Sequence, residues 1–212
     1  MIPAVTGRTC GQDCPKFRPP SIASSSLELS TLRFIEERRN AVLLGPPGVG
    51  KTHLAIALGV AASVAGYRTL FTSATDMVQV LQAAHLDGSL TYKIRQYTGA
   101  SALVIDELGY LPLDQMSANW IFQVVSRRYD KGSIILTSNR GFADWDQVFA
   151  DKVVASAILD RLLHQATVIN IRGKSYRMRG YAESVGSKGV SRSLSIHRVQ
   201  QPLGLCPKPR WG

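Results

Sequence analysis

Residues 45–52 have the composition and spacing of a phosphate-binding loop. They read Gly-Pro-Pro-Gly-Val-Gly-Lys-Thr, and they lie between an apolar run and a helical stretch. Glycines let backbone N–H groups turn inward around phosphate oxygens, and the helix that follows directs the positive end of its dipole at the same anions. A glycine-rich structural turn is the alternative interpretation. The complete motif in this setting favours a nucleotide site.

Two positions of this loop have predicted chemical roles. We expect Lys51 to reach the β and γ phosphates of a nucleotide and Thr52 to offer its hydroxyl to Mg²⁺, a hard cation that prefers oxygen ligands. ATP and Mg²⁺ are therefore the predicted cofactors. The predicted nucleotide-binding residues are Gly45, Pro46, Pro47, Gly48, Val49, Gly50, Lys51 and Thr52.

Two adjacent carboxylates, Asp106 and Glu107, follow the apolar run of residues 102–105. Open α/β sheets bind ligands at the carboxyl ends of their strands, where these side chains would lie. We expect Asp106 to hold Mg²⁺ through water and Glu107 to activate the water that attacks the γ phosphate. An isolated pair of this kind is usually a solvated strand end, and the upstream phosphate-binding loop favours catalysis. A glutamate here also argues against a small-molecule kinase, in which an acceptor hydroxyl replaces the water.

Asn139 lies among the polar residues that end a further buried strand, which begins with the apolar residues 134–136. If this strand lies between the first strand and the acid-bearing strand, Asn139 lies beside the attacking water. A turn or capping role is the alternative, because asparagine favours such positions in any protein. The shared carboxyl edge of the sheet favours the functional interpretation.

Short apolar runs alternate with helical stretches through the middle of the chain, which predicts parallel strands joined by helices. The predicted strands are apolar on both faces, as a sheet covered by helices on each side requires. We therefore predict an α/β fold with a doubly wound, five-stranded parallel sheet. Strands are predicted at residues 41–44, 68–72, 102–105, 133–137 and 167–171, with helices at 51–65, 117–129 and 152–164 and helical pieces up to residue 97.

Both ends of the chain lack this alternation. Residues 1–26 are rich in Pro, Ser and Cys and are predicted to be irregular, as is the segment up to Ser30. Residues 27–180 form the predicted folded domain and residues 181–212 a basic, low-order tail. Residues 172–212 contain nine Lys or Arg and one acid, so they carry most of the net charge of +10. Such an end favours phosphate backbone or acidic partners, with a solvated tail that binds nothing as an equal alternative.

Membrane insertion and secretion are not expected. No stretch reaches the roughly 18 to 20 apolar residues that cross a bilayer, and residues 1–9 lack the apolar stretch of a signal peptide. The odd number of cysteines argues against a disulfide framework, and Cys10 and Cys14 have no nearby pair to complete a zinc site. We expect a cytoplasmic protein with reduced thiols.

Four segments in order resemble the IstB family of transposition helper ATPases, relatives of the DnaC helicase loaders within the AAA+ class. The resemblance covers about residues 17–179 and implies an AAA+ core with a helical insert after the second strand, at residues 76–97. It also implies that Asp106 and Glu107 are the Walker B pair and Asn139 the sensor. The segments are GPPGVGKTH, LVIDELGY, LTSNR and ILDRLLH.

Arg161 acquires its predicted role from this resemblance. A lone arginine on a helix is usually a surface residue with an i,i+4 partner. The resemblance instead implies an arginine finger that reaches the nucleotide of a neighbouring subunit. The predicted catalytic residues are thus Lys51, Asp106, Glu107, Asn139 and Arg161, and the predicted metal ligands are Thr52 and Asp106.

The same resemblance implies an ATP-dependent homo-oligomer that assembles on duplex DNA and assists a transposase. A DnaC-like loader with a replicative helicase as partner is one alternative, since it would share every catalytic residue named above. A remnant that binds only nucleotide or DNA is another alternative. It is considered because the amino-terminal helical region is shortened and the segment after Arg179 differs from family members.

Overall fold

Five parallel strands form one sheet in the described part of the chain, which is residues 23–110, 112–149, 151–173 and 175–178 of a computed structural model. The strand order is β2-β3-β4-β1-β5, and every neighbouring pair is parallel. The predicted α/β fold is therefore confirmed. The strands are β1 Asn40–Leu44, β2 Thr69–Ser73, β3 Ala102–Leu108, β4 Ser133–Ser138 and β5 Ala166–Asn170.

Helices connect the strands at the positions that the alternation predicts. Three of them begin at side-chain caps: Ser73 accepts from Asp76 N at 3.0 Å before α4, and Asp114 and Asp151 cap α6 and α8. The insert after β2 consists of α4 and α5. The helices are α1 Ala23–Ser30, α2 Arg33–Glu36, α3 Lys51–Val64, α4 Ala74–Leu86, α5 Leu90–Thr98, α6 Gln115–Arg128, α7 Trp145–Val148 and α8 Lys152–Leu163, with 3-10 turns at Phe142–Asp144 and Tyr176–Met178.

Two apolar layers cover the two faces of the sheet. Successive strand residues point to opposite faces, so Val42 and Leu44 lie in one layer while Ala41 and Leu43 lie in the other. The first layer is completed by α4, α5, α6, α7 and α8, and the second by α1, α2 and α3. This doubly wound arrangement leaves the strand ends as the places where polar groups meet solvent.

The edge strands are more exposed than strands with two apolar faces would be in a sheet that helices cover fully. The inner strands β1, β3 and β4 are almost fully buried, whereas Phe71 of β2 is 49% exposed and Val168 of β5 is 41% exposed. An edge strand has a neighbour on one side only, and the helices lie over the middle of the sheet. The apolar composition of the edge strands β2 and β5 therefore suggests more burial than these strands have.

The amino-terminal segment corrects the prediction. Irregular structure was expected up to Ser30, yet Ala23–Ser30 form a helix. Leu29 is fully buried in the second apolar layer with Phe34 and Ile35, and such packing stabilises a helix too short to form alone. The predictions for residues 1–22 and for the tail from residue 179, including Cys10, Cys14 and Cys206, lie outside the described residues. None of the described helices is long and apolar enough to cross a membrane.

Candidate functional site

The strand order brings the predicted site residues to one edge of the sheet. Strand β4 lies between β1 and β3, as the expected position of Asn139 required. The segments that follow these three strands therefore neighbour one another at the carboxyl edge, the usual ligand position in an open α/β sheet. The phosphate-binding loop, the acidic pair and Asn139 all lie there.

The segment that follows β5 packs across the phosphate-binding loop. The amide of Tyr176 donates to the Gly48 carbonyl at 2.9 Å, and the amide of Ile171 donates to the Leu44 carbonyl at 2.7 Å. Side chains at two loop positions would collide with this segment. A Cβ at Gly45 would meet the Ile171 carbonyl, and one at Gly48, whose φ is +80°, would meet the Ser175 hydroxyl. The motif glycines therefore permit this close approach.

Lys51 lies at the start of α3 and is largely buried. Its Nζ donates to the carbonyls of Gly45 at 2.8 Å and Pro46 at 2.9 Å. Burial lowers the pKa of this ammonium, Asp106 and Glu107 partly oppose the shift, and Arg177 adds to it. An ammonium has three donors and two of them are engaged, so one donor is available for a phosphate oxygen.

Asp106 is held by two hydroxyl groups. Its Oδ1 accepts from Thr137 Oγ1 at 2.5 Å and from Thr52 Oγ1 at 3.1 Å. The residue is 6% exposed. The carboxylate thus joins β3 to both the phosphate-binding loop and β4.

The donor set at this point suits Mg²⁺. Thr52 and Asp106, the two predicted ligands, bring hard oxygen atoms together. Across the described residues no three His, Cys, Asp or Glu side chains are grouped as a metal cage. Mg²⁺ commonly uses one or two protein oxygens and takes its remaining ligands from water and phosphate. These residues would therefore fit a nucleotide-bound Mg²⁺ better than a cation held by protein alone.

Glu107 occupies a strained bulge in β3. Its φ is 59°, and the register with β4 shifts between Ile105 and Leu108. A non-glycine residue in the left-handed region costs on the order of 1 to 3 kcal/mol, and such residues cluster at active sites. The Thr137 hydroxyl accepts from the Glu107 amide at 2.9 Å, which stabilises the bulge. The Glu107 side chain is exposed at the carboxyl edge.

Asn139 directly follows β4 and is exposed. Its neighbours form a tight polar turn, in which Ser138 Oγ accepts from the Arg140 amide at 3.1 Å. Within the described residues the Asn139 side chain has no hydrogen-bond partner, so its amide is open to solvent at this edge. Its predicted role as a sensor stays a prediction.

Arg161 lies apart from the other predicted site residues. It is in the last turn of α8, which ends just before β5 begins at the amino edge of the sheet. Its Nη1 donates to the Ala157 carbonyl at 3.0 Å, and its guanidinium lies 4.9 Å from the centre of the Phe122 ring. The arginine cannot contact the phosphate-binding loop of its own chain, because the sheet separates them.

Two residues of the carboxyl edge were missed by sequence reasoning. Thr137 was counted only as the end of an apolar strand, although a hydroxyl beside an acid-bearing strand was the available signal. Arg177 was predicted only as a basic residue that could contact DNA, yet its charge also contributes to the lowered pKa of Lys51. No local pattern indicates Arg177, because its position depends on how the segment after β5 folds back.

A comparison with protein families shows which family this chain resembles. Residues 19–184, more than three quarters of the chain, match the model of the IstB-like ATP binding protein family. The chain belongs to this family. The match spans the phosphate-binding loop, the acidic pair and α8, so every predicted catalytic residue lies within the matched range.

Named relatives of this IstB-like chain come from insertion sequences. A protein of insertion sequence IS21 from Pseudomonas aeruginosa, named as ATP-binding, is 52% identical over 163 residues, which is 77% of this chain and 62% of the relative. A corresponding protein of insertion sequence IS5376 from Geobacillus stearothermophilus is 49% identical over 152 residues, 72% of this chain and 61% of the relative. The chain thus spans less than two thirds of the length of these relatives.

Solved structures show the same fold at lower identity. The DnaC helicase loader is 24% identical with a TM-score of 0.60, and the match covers 74% of this chain and 95% of that one. The replication initiator DnaA, solved with AMPPCP and single-stranded DNA, is 23% identical with a TM-score of 0.60 over 77% of this chain and 51% of that one. The IstB-like chain is therefore an ATP-binding P-loop protein with an AAA+ fold.

Proposed function

We propose that this IstB-like chain hydrolyses ATP and, as an ATP-dependent assembly on duplex DNA, assists a transposase in insertion-sequence transposition. The observation that carries the proposal is the convergence of Lys51, Thr52 and Asp106 beside the strained Glu107. Strain and a lowered lysine pKa at one sheet edge favour chemistry over simple nucleotide storage. The insertion-sequence names of the relatives support the biological setting.

Each residue of the carboxyl edge has a task in the proposed hydrolysis. The loop amides and the start of α3 bind the nucleotide phosphates, and the spare donor of Lys51 binds a β or γ phosphate oxygen. Mg²⁺, when held by Thr52 and Asp106, would neutralise developing phosphate charge. Glu107 accepts a proton from the attacking water, and Asn139 orients that water. Thr137 is a positioning residue, because it fixes both Asp106 and the Glu107 amide.

Arg161 completes the proposed site from a second copy. The sheet separates it from its own phosphate-binding loop, so a finger role requires a neighbouring subunit. A guanidinium supplied in trans stabilises transition-state charge and is worth on the order of 10³ to 10⁵ in turnover. Hydrolysis is therefore expected to depend on assembly.

The insertion-sequence proposal is favoured over the helicase-loader alternative. The named relatives at 52% and 49% identity belong to insertion sequences, whereas the loader at 24% identity shares the fold alone. The strained backbone at Glu107 favours ATP turnover over a remnant that only binds nucleotide or DNA. A transposase is accordingly the proposed protein partner and duplex DNA the proposed nucleic-acid partner.

The test combines sedimentation with phosphate release. With Mg-ATP and duplex DNA, the wild-type chain should form an assembly larger than with either alone and should release phosphate. Glu107→Gln should retain ATP binding and assembly but lose phosphate release, because an amide cannot act as a base. Glu28→Gln, which changes an exposed glutamate on α1, is the matched control and should behave as wild type.

Two results would contradict the proposal. ATP turnover by Glu107→Gln at the wild-type rate would remove Glu107 from the catalytic role. A wild-type chain that binds ATP but neither assembles on DNA nor releases phosphate would instead fit the remnant. Retention of a replicative helicase, rather than a transposase, by the ATP-bound assembly would favour the loader.

A further inference from the structure

A shallow basic cleft lies at the amino edge of the sheet, on the side opposite the phosphate-binding loop. It is formed where the chain enters β1 and where α6 and α8 end. We call this region the amino-edge cleft, and its charged or titratable lining residues are Arg38, Arg128, Tyr129, Asp130, Arg161 and His164. The predicted finger Arg161 is one of several cations there.

Specific contacts between the three segments build the cleft. Arg38 Nη1 donates to the Asp130 carbonyl at 2.9 Å, and both residues have φ values in the left-handed region, 55° and 57°. The Tyr129 and His164 rings lie 5.5 Å apart between centroids. Asn40 Nδ2 donates to the Leu162 carbonyl at 3.0 Å. The positions of Arg38 and His164 are therefore fixed by the same contacts that hold α6 and α8 to β1.

The arginines of the cleft differ from their neighbours in how they are paired. Arg33 and Arg39 form salt bridges with Glu37 at 3.5 and 3.2 Å. Among the described residues, Arg38 and Arg161 have no carboxylate within 4.0 Å and donate only to single backbone carbonyls. Each guanidinium therefore keeps several donors for an anion.

The position of the cleft excludes a nucleotide bound to the same chain as the source of that anion. Strand β1 begins at Asn40 beside the cleft and ends at Leu44 before the phosphate-binding loop. A rise of about 3.3 Å per strand residue puts roughly 15 Å between the two ends. A nucleotide on the chain's own loop cannot reach Arg38 or Arg161. A phosphate bound to a second copy can do so in a head-to-tail interface.

We propose that Arg38 acts beside Arg161 on the terminal phosphates of a nucleotide held by a second copy of this chain, with His164 lining the same site. This inference rests on the proposed function, in which Arg161 acts in trans. A second guanidinium spreads the negative charge that develops during phosphoryl transfer over two cations. Its removal should lower turnover roughly tenfold, the effect of one charge-assisted hydrogen bond.

Subunit mixing tests the trans role of Arg38. Arg38→Gln should lower turnover per assembled subunit roughly tenfold with unchanged nucleotide affinity, whereas the control Arg33→Gln should leave both unchanged. Adding Lys51→Ala chains, which bring an intact Arg38, should raise the turnover of Arg38→Gln chains within mixed assemblies. A deficit that persists despite demonstrated co-assembly would place the effect of Arg38 inside its own subunit and overturn the inference.

A binding experiment tests the cleft without turnover. Tripolyphosphate is titrated into the full Lys51→Ala chain while the NMR signal of the His164 imidazole is followed, with His164→Gln used to assign it. We expect a shift of this signal that is lost in Lys51→Ala/Arg38→Gln and retained in Lys51→Ala/Arg38→Lys. No shift, or the same shift without Arg38, would overturn the cleft as a phosphate site.

The two experiments separate the possible failures. If the wild-type chain releases no phosphate, the proposed hydrolysis is wrong. The tripolyphosphate titration, which follows the NMR signal of His164, then still tests whether the cleft binds phosphate. A DNA backbone is the other source of phosphate. Loss of one phosphate contact would reduce the slope of log DNA affinity against log salt by roughly 0.9. If Arg38→Gln has this effect on duplex DNA and leaves turnover unchanged, the cleft binds DNA and the inference is wrong.

Discussion

The two edges of the sheet hold their charged groups in different ways. At the carboxyl edge, Asp106 accepts from two hydroxyls, Glu107 has a left-handed backbone, and burial lowers the pKa of Lys51. At the amino edge, the cations Arg128 and Arg161 donate to backbone carbonyls. Left-handed residues and a cation whose pKa is lowered by burial therefore occur at both edges. The difference lies in the carboxylates: the carboxyl edge has Asp106 and Glu107 near its lysine, whereas among the described residues Arg128 and Arg161 have no carboxylate partner and donate to carbonyls of the chain.

Within the amino edge, Arg128 and Arg161 differ in how many of their hydrogen-bond donors are engaged. Arg128 is 1% exposed and donates to the carbonyls of Tyr97, Ala100, Ser101 and Ser133 at 2.7 to 3.4 Å. Burial lowers its pKa to about 10, so it stays charged at neutral pH. Arg161 is only partly buried and donates to one carbonyl. Arg128 therefore supports the fold, while Arg161 keeps donors that an external phosphate could accept.

The largest expected losses of ATP turnover come from two substitutions, one at each edge of the sheet. Lys51→Ala and Arg161→Ala should each reduce ATP turnover by about 10³ or more, for different reasons. Lys51→Ala should also lose nucleotide affinity, whereas Arg161→Ala should bind nucleotide normally, because in the proposed site Arg161 acts on a phosphate that another subunit binds. Nucleotide affinity and phosphate release are measured for each variant and for their mixture. Turnover should partly recover in the mixture, and a lack of recovery in proven mixed assemblies would contradict the separation of the two edges.

The structural role of the amino edge predicts a large loss of stability for Arg128→Met. The substitution leaves buried carbonyls without donors, and we expect the free energy of unfolding to fall by about 3 kcal/mol. Urea unfolding measures this change. Arg127→Met, at an exposed position of the same helix, is the control and should change stability by less than about 0.5 kcal/mol. Equal stabilities of the two variants would show that the hydrogen bonds from Arg128 to the buried carbonyls do not stabilise the fold.

A smaller effect is expected from Thr137→Val at the carboxyl edge. The variant removes the donor to Asp106 and the acceptor for the Glu107 amide, which should cost about 1 to 3 kcal/mol of stability. Turnover should fall roughly tenfold because both acidic residues lose their support, while Thr137→Ser should restore both properties. If Thr137→Val loses stability but hydrolyses ATP normally, Thr137 supports the strand and not the chemistry.

The smallest effect on catalysis is expected from removing the tail after Arg179. The deletion removes five basic residues and Glu183, but none of the predicted catalytic residues. Basal ATP hydrolysis should survive. The slope of log DNA affinity against log salt should shrink by roughly 0.9 for each lost phosphate contact, without dependence on base sequence. Binding isotherms at several salt concentrations measure this slope, and an unchanged slope would assign DNA contact to the part of the chain before residue 180.

Local sequence patterns determined most of the fold and the nucleotide-binding half of the site. The loop at residues 45–52 was recognisable because phosphate binding needs glycines, a lysine and a hydroxyl at fixed spacing next to a helix start. The strands were recognisable because inner strands of a covered sheet must be apolar, and the observed bounds differ from the predicted ones by up to three residues. Asp106 and Glu107 followed from their place after such a strand.

Only the tertiary structure decided which polar groups contact one another across the sheet. The Thr137 bonds to Asp106 and Glu107, and the contacts of Ile171 and Tyr176 with the start of the phosphate-binding loop, join segments that are distant in sequence. The opposite placement of Lys51 and Arg161 likewise depends on α8 running back along the sheet. Side-chain type and spacing report what lies within a turn or a strand, whereas contacts between separate elements depend on strand order, register and packing.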